Sequence, residues 1–161
     1  MTALKTLLWS IFVPGTVTVL VPRLLLASRS ELFFIELSSF RFFGIVPIIL
    51  GALIYFWCAW DFTFMGKGTP APFDPPKELV VKGPYRFVRN PIYVGVTLAL
   101  FGESILFEST VLFVYAILLL LVFHLWVVYY EEPALKRKFG ESYERYCNTV
   151  PRWLPSAQHH Q

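Results

Sequence analysis

The chain has 161 residues, of which 56% are hydrophobic, 18% aromatic and 16% charged, with a formal net charge of +3. Soluble domains carry about 25% charged residues, and the mean hydropathy here is +0.57, so the composition excludes an ordinary soluble domain. We expect an all-α integral membrane protein with residues 1–161 in a single membrane domain. No nucleic-acid partner is expected.

Four apolar stretches are candidates to cross the membrane, and they cover residues 7–26, 42–60, 91–107 and 110–130. A transmembrane helix needs roughly 20 residues, within a range of about 17–25, and the third stretch lies at the lower limit. Two prolines interrupt the first stretch, which argues against a cleaved signal peptide and for a retained span. The chain is therefore expected to have about four transmembrane helices.

Basic residues predict the orientation of these spans. The loop 61–90 and the segment after Tyr130 are rich in Lys and Arg, whereas the turn 103–109 has two glutamates and no basic residue. The positive-inside rule puts both basic segments, and with them both termini, in the cytoplasm. Three arginines, Arg23, Arg29 and Arg41, lie near the other side and oppose this arrangement.

The segment 83–95 reads GPYRFVRNPIYVG and joins the basic loop to the third span. Asn90 is a favoured helix cap and Pro91 a favoured first helical residue, so a helix is expected to begin here. Its positive end, next to Arg86 and Arg89, suits an anion such as a carboxylate. The alternative is plain anchoring by two arginines and an interfacial Tyr93.

The segment 131–155 reads EEPALKRKFGESYERYCNTVPRWLP and follows the fourth span. Two acids at the C-terminal end of a helix are unfavourable, so Glu131 and Glu132 indicate binding of a polar group at the membrane face. The alternative is that Pro133 ends the span and both acids start a tail helix. That cytoplasmic helix is expected to be amphipathic, with a turn at Gly140, and the segment 150–155 to fold back over the site.

Other polar residues in the apolar stretches have simpler interpretations. His124 is expected to form a hydrogen bond between helices and Cys58 to be a buried small side chain. Cys147 has no evident partner base, and neither a disulfide nor a metal site is expected. Motifs for a Rossmann nucleotide site, a P-loop, a zinc protease or a serine hydrolase are absent from the sequence.

With these residues, the chain resembles the isoprenylcysteine carboxyl methyltransferase and phospholipid N-methyltransferase superfamily. The resemblance covers residues 77–155 and implies transfer of a methyl group from S-adenosylmethionine to a lipid or lipidated small-molecule substrate at the cytoplasmic membrane face. It implies catalytic roles for Arg89, Asn90 and Glu131. The residues that it places at the cofactor are Leu79, Val80, Tyr85, Asn90, Pro91, Tyr93, Glu131 and Glu132.

Two departures from that pattern bear on the chemistry. Asn90 replaces the usual His, which removes a proton-transfer role but leaves a hydrogen-bond donor. Val127 replaces an Arg that holds the substrate carboxylate in enzymes acting on isoprenylcysteine. Two alternatives stay open, an NADPH-dependent enzyme resembling sterol reductases and a non-enzymatic subunit. The methyl acceptor, the membrane of residence and the oligomeric state also stay open.

Overall fold

The computed structural model describes residues 12–28, 36–64 and 79–155, without the side chains of residues 62 and 63. The start of the predicted first span, at residues 7–11, and the proline-rich segment 66–76 lie outside the described residues. Within the described residues, the regular structure is helical, and it contains no β-strand. The predicted all-α class is confirmed for this part of the chain.

Six helices are described, with bounds close to the predicted spans. They are α1 (Phe12–Ala27), α2 (Ile45–Phe64, after a 3₁₀ turn Ser38–Gly44), α3 (Pro91–Leu106), α4 (Thr110–Trp126), α5 (Glu132–Phe139) and α6 (Glu141–Thr149). A π-helical turn, Val127–Glu131, joins α4 to α5.

Two helical segments, Ser38–Asp61 and Thr110–Phe139, are long and apolar enough to cross a membrane, whereas α1 and α3 are shorter. Their surfaces distinguish them from the core helices of a soluble protein. Only 28% of the apolar stretch of the first and 17% of the second is buried. Because such large exposed apolar faces need an apolar environment, they indicate contact with lipid.

Helices α2 and α3 pack in opposite directions at very close range, through glycines spaced seven residues apart on each helix. A Cβ atom on Gly51 would lie 2.4 Å from the carbonyl oxygen of Gly95, and one on Gly44 would lie 2.4 Å from that of Gly102. Only glycine allows backbones to approach so closely. This contact fixes the C-terminal end of α2 beside the N-terminal end of α3, where the first motif lies.

The alternative in which Pro133 ends this apolar helix was wrong. The helix continues from Thr110 to Phe139. The amide of Glu132 donates to the carbonyl of Val127, five residues back, and this wider π turn precedes the proline. Widening the helix relieves the clash that a proline ring makes with the preceding turn.

The C-terminal helices form a short hairpin. Gly140 lies between α5 and α6 with φ +52°, so the predicted turn is confirmed. Tyr143, Tyr146 and Val150 of the second arm form a buried apolar cluster. Leu79, Leu135 and Phe139 pack against this cluster, which holds the hairpin against the segment before α3.

Candidate functional site

The two sequence motifs meet through a hydrogen bond between Tyr93 and Glu131. The Tyr93 hydroxyl, on the first turn of α3, donates to Oε2 of Glu131 at 2.9 Å. The Tyr93 ring also stacks at a tilt on Phe123 of α4, with 4.6 Å between ring centroids. Packing of α3 on α4 therefore orients the phenol, and the phenol in turn orients the carboxylate.

Glu132 lies between two arginines. Arg152 donates to it twice, from Nε at 2.7 Å and from Nη2 at 2.9 Å. Nη1 of Arg89 lies 3.2 Å from the same carboxylate. The hydrogen bonds with Glu132 raise the pKa of Arg152 above its ordinary value. The carboxylate of Glu132 is thus paired with two arginines of the protein. The carboxylate of neighbouring Glu131 contacts the neutral hydroxyl of Tyr93.

Residues 150–155, which we call the C-terminal strap, fold back over this end of the bundle as predicted. The Arg89 amide donates to the carbonyl of Pro151 at 2.9 Å. The Asn90 side-chain amide donates to the carbonyl of Arg152 at 3.2 Å. The Trp153 indole donates to Nδ1 of His124 at 3.1 Å. Strap, first motif and fourth span are therefore joined at three points, and His124 is bound by the strap rather than by another helix.

The expectation that the Asn90 side chain caps α3 was wrong, because that side chain turns to the strap instead. Asn90 occupies the cap position without a side-chain cap hydrogen bond. The first amides of a helix have no partner within it. Close by, Nε of Arg89 is buried and has no hydrogen-bond partner among the described residues. This end of α3 therefore presents uncompensated donors.

Tyr85 forms the inner wall of the site. It is 6% exposed and clusters with Val80 and Cys58, and its carbonyl accepts a 2.7 Å hydrogen bond from the Tyr146 hydroxyl. Burial raises the pKa of Tyr85 well above its ordinary value. Nearby ionisable groups raise it further, and these are Cys58, Glu131, Tyr146 and Tyr93.

The other predicted site residues take supporting positions. Pro91 is fully buried at the start of α3, and Val80 is buried beside Tyr85. Leu79 is half-buried and packs on the Tyr143–Tyr146 cluster, one residue away from Val80 but against a different layer. These side chains shape the walls of the site.

Sequence reasoning missed three partners in the site. The pairing of Arg152 with Glu132 and the contact of Trp153 with His124 depend on how the chain folds back, which spacing does not encode. Cys147 lies 2.6 Å from Nη1 of Arg89 and has no disulfide partner. Outside this site, the sequence reasoning also did not single out Asp61, an acid near the end of an apolar helix.

A cavity of about 450 Å³ lies at the opposite end of the bundle, away from both motifs. It is lined by Glu36, Ser38, Ser39, Arg41, Phe42 and Glu108. Two of its charged groups are paired, since Arg41 lies 3.8 Å from Glu108, and the Leu37 amide donates to the same carboxylate at 2.8 Å. We do not assign the chemistry to this cavity.

The fold and the site define a class, a helical membrane-type protein with a polar site at one end of its apolar helices. Sequence comparison then gives the family. A family model described as phospholipid methyltransferase matches residues 40–142, and the chain belongs to this family. The chain is also 40% identical over 80 residues to a protein-S-isoprenylcysteine O-methyltransferase of Schizosaccharomyces pombe. That match covers 48% of this chain and 33% of the relative, so the chain spans about a third of the relative's length.

Proposed function

We propose that the protein is an S-adenosylmethionine-dependent methyltransferase that acts on a lipid nucleophile at the cytoplasmic face of a membrane. The observation that carries the proposal is the 2.9 Å hydrogen bond between Tyr93 and Glu131, which joins the two motifs into one site. Membership of the phospholipid methyltransferase family supports the reaction type.

The residues present fit the charges of S-adenosylmethionine. Its carboxylate suits the uncapped start of α3 and the buried, unpartnered Nε of Arg89. Its amino group suits the carboxylate of Glu131, which Tyr93 holds in place. The bound cofactor supplies an activated methyl group on a positively charged sulfur.

The protein's own contribution is alignment and exclusion of water. Holding two reactants in line replaces a chance encounter and lowers the barrier by several kcal/mol. Tyr85 and Val80 form an apolar wall, and the strap covers the polar end of α3. In this assignment Glu132 positions Arg89 and Arg152, since its carboxylate contacts both, and Nε of Arg89 is left for the cofactor's carboxylate.

The position of Val127 favours an acceptor without a carboxylate. Val127 is fully buried in the π turn before Glu131 and provides no cation. The relative's name specifies O-methylation of a protein S-isoprenylcysteine. A lipid amine, reaching the site sideways from the bilayer, is the acceptor we favour.

The proposed topology has four spans, with α1 and α3 completing the set begun by the two longer helices. The basic residues of the 61–90 loop and of the tail support a site on the cytoplasmic side. Helix α3 is short for a transmembrane span. It packs closely on the longer α2 through the glycine contacts, and this packing supports α3 in the bilayer.

Methyl transfer from radiolabelled S-adenosylmethionine to lipid vesicles tests the function. Purified protein is reconstituted with vesicles containing phosphatidylethanolamine, and prenylcysteine serves as the parallel acceptor. We expect the radiolabelled methyl group to appear on the lipid and not on prenylcysteine. Binding of NADPH in place of S-adenosylmethionine would point to the reductase alternative, and binding of neither to a non-enzymatic subunit.

A further inference from the structure

Asp61 is a buried carboxylate that the site described above does not use. It lies near the C-terminal end of α2, and its side chain is 3% exposed. Its Oδ2 atom has no hydrogen-bond partner among the described residues. The C-terminal end of a helix carries partial negative charge, so a carboxylate there is doubly unfavourable. Stability does not explain this residue.

The carboxylate of Asp61 faces the backbone of Gly83, which has no side chain. A Cβ atom on Gly83 would lie 2.1 Å from Oδ2 of Asp61 and 2.9 Å from Nε1 of Trp57. Only glycine at position 83, with φ +56°, leaves room for both side chains. Trp57 is 58% exposed, so its ring borders both the lipid-facing surface and the surroundings of Asp61.

Asp61 is linked to the proposed cofactor site through the inner wall. Cys58, one turn earlier on α2, is fully buried and interacts electrostatically with Asp61. Cys58 packs with Tyr85, and Tyr85 in turn interacts with Glu131 and Tyr93. Cys58 and Tyr85 therefore connect Asp61 to Glu131, at the same end of the bundle.

We propose that Asp61, with Gly83 and Trp57, forms a second polar site that binds the ammonium group of the methyl acceptor and takes its proton. This inference rests on the proposed function and assigns a catalytic residue to it. A buried carboxylate without a hydrogen-bond partner attracts an organic cation strongly. No cluster of three or more potential metal ligands occurs in the described part of the chain.

The proton transfer gives the amine its reactivity. An ammonium has no free electron pair, so it must lose a proton before it can attack. The proton moves from nitrogen to a carboxylate oxygen of Asp61, which leaves a neutral amine and a neutral acid. The amine lone pair then forms the new N–C bond, while the electron pair of the broken C–S bond stays on sulfur.

Few other charged groups face Asp61. Cys58 lies on its own helix, and Tyr85 follows on the turn Gly83–Arg86. Lys82, next to Gly83, is exposed. Within the described residues, Asp61 is thus the acid best placed to accept a proton from a group bound beside Gly83 and Trp57.

The variant Asp61→Asn tests the assignment, because asparagine keeps the shape but cannot accept the proton. With phosphatidylethanolamine vesicles at pH 7, we expect methyl transfer to fall roughly a hundredfold, within the range for loss of a general base. The deficit should narrow as the pH approaches the acceptor's own pKa, near the value of about 10.4 for a lysine amine. Native mass spectrometry should show weaker retention of phosphatidylethanolamine, and the affinity for S-adenosylmethionine should not change.

Glu103→Gln is the matched control. Oε2 of Glu103 is likewise buried without a hydrogen-bond partner, but it lies toward the other end of α3. Both substitutions remove a buried unpaired charge, so both variants should melt at the same temperature as the wild type or higher. Only Asp61→Asn should lose turnover.

Three results with the Asp61→Asn variant, and two with the wild type, would overturn the proposal. Unchanged turnover in Asp61→Asn would exclude the base. Lost affinity for S-adenosylmethionine would place the cofactor's own ammonium at Asp61. A lower melting temperature with a pH-independent loss of turnover would make the residue structural. If the wild type methylates prenylcysteine alone, the base fails while the proposed function stands; if it binds no S-adenosylmethionine, both fail.

Discussion

Arg152 and Glu132 are joined by two hydrogen bonds of 2.7 and 2.9 Å, and this pair fastens the C-terminal strap to the start of α5. Glu132 also lies 3.2 Å from Arg89, so one carboxylate ties the strap, the first motif and α5 together. The pair therefore separates the roles of the two adjacent glutamates. Glu132 holds the strap, and in the proposed function Glu131 binds the amino group of the cofactor.

Arg152→Ala should loosen the strap. The amide of Arg89 donates to Pro151, so its hydrogen exchange reports directly on strap attachment. We expect faster exchange at Arg89 and a loss of stability of about 1–2 kcal/mol, since the pair is only partly exposed. Exchange mass spectrometry measures the first and thermal unfolding the second.

Lys136→Ala is the control for the strap. Lys136 forms a 2.8 Å ion pair with Glu144, but both side chains are more than half exposed. Exposed ion pairs contribute little, so exchange at Arg89 should stay at the wild-type rate. Equal protection of Arg89 in both variants would show that Arg152 does not hold the strap.

Tyr93→Phe should weaken binding of S-adenosylmethionine by roughly tenfold or more, because a hydrogen bond to a charged group is worth about 1.5–3 kcal/mol. The ring and its stacking on Phe123 would remain. Tyr115→Phe is the matched control, since its hydroxyl donates to the carbonyl of Val17 at 3.1 Å, outside the proposed site. Calorimetry that gave both variants the same affinity would remove Tyr93 from the cofactor pocket.

Gly51→Ala should separate α2 from α3. The new methyl group would meet the carbonyl oxygen of Gly95 at 2.4 Å, and neither backbone can move without disturbing the other glycine pair. We expect a loss of about 2 kcal/mol or more in stability, measured by thermal unfolding in detergent. Leu53→Ala, at a position 60% exposed on the same helix, should cost much less. Similar melting temperatures for the two variants would argue against the close crossing.

Stability should fall as the pH rises above about 10. Burial raises the pKa values of Tyr85, Tyr143 and Tyr146 above the ordinary 10.0. Above pH 10 the unfolded chain loses phenol protons that the folded chain keeps, so the unfolded state is favoured. Melting temperatures between pH 8 and 11 measure this, and Tyr143→Phe should make the decline shallower; an identical decline would exclude Tyr143 as a source.

Local patterns in the sequence were enough to predict the helices and the two halves of the site. The Asn90–Pro91 pair marks the start of α3, and Gly140 marks the turn between α5 and α6. The strap was also predictable, because its two prolines prevent a helix.

Contacts between distant residues were not predictable in the same way. Pro133 indicated a helix end, but a π turn absorbed the strain. Asn90 indicated a cap, but its side-chain oxygen accepts no cap hydrogen bond, and its side-chain NH2 group donates to the carbonyl of Arg152 in the strap. Both outcomes depend on tertiary packing, which the local sequence preferences of individual residues do not include. The proximity of Asp61 to Gly83 likewise depends on how α2 packs against the segment before α3, so the sequence alone did not predict it.

Calorimetric titration of S-adenosylmethionine into the detergent-solubilised wild type and Glu131→Gln tests the central claim most directly. We expect micromolar binding to the wild type, no binding of NADPH, and at least a tenfold loss of affinity in Glu131→Gln, because the charge that Tyr93 orients is removed. Wild-type affinity in a well-folded Glu131→Gln variant would contradict the placement of the cofactor. Absence of binding in the folded wild type would contradict the proposed function itself.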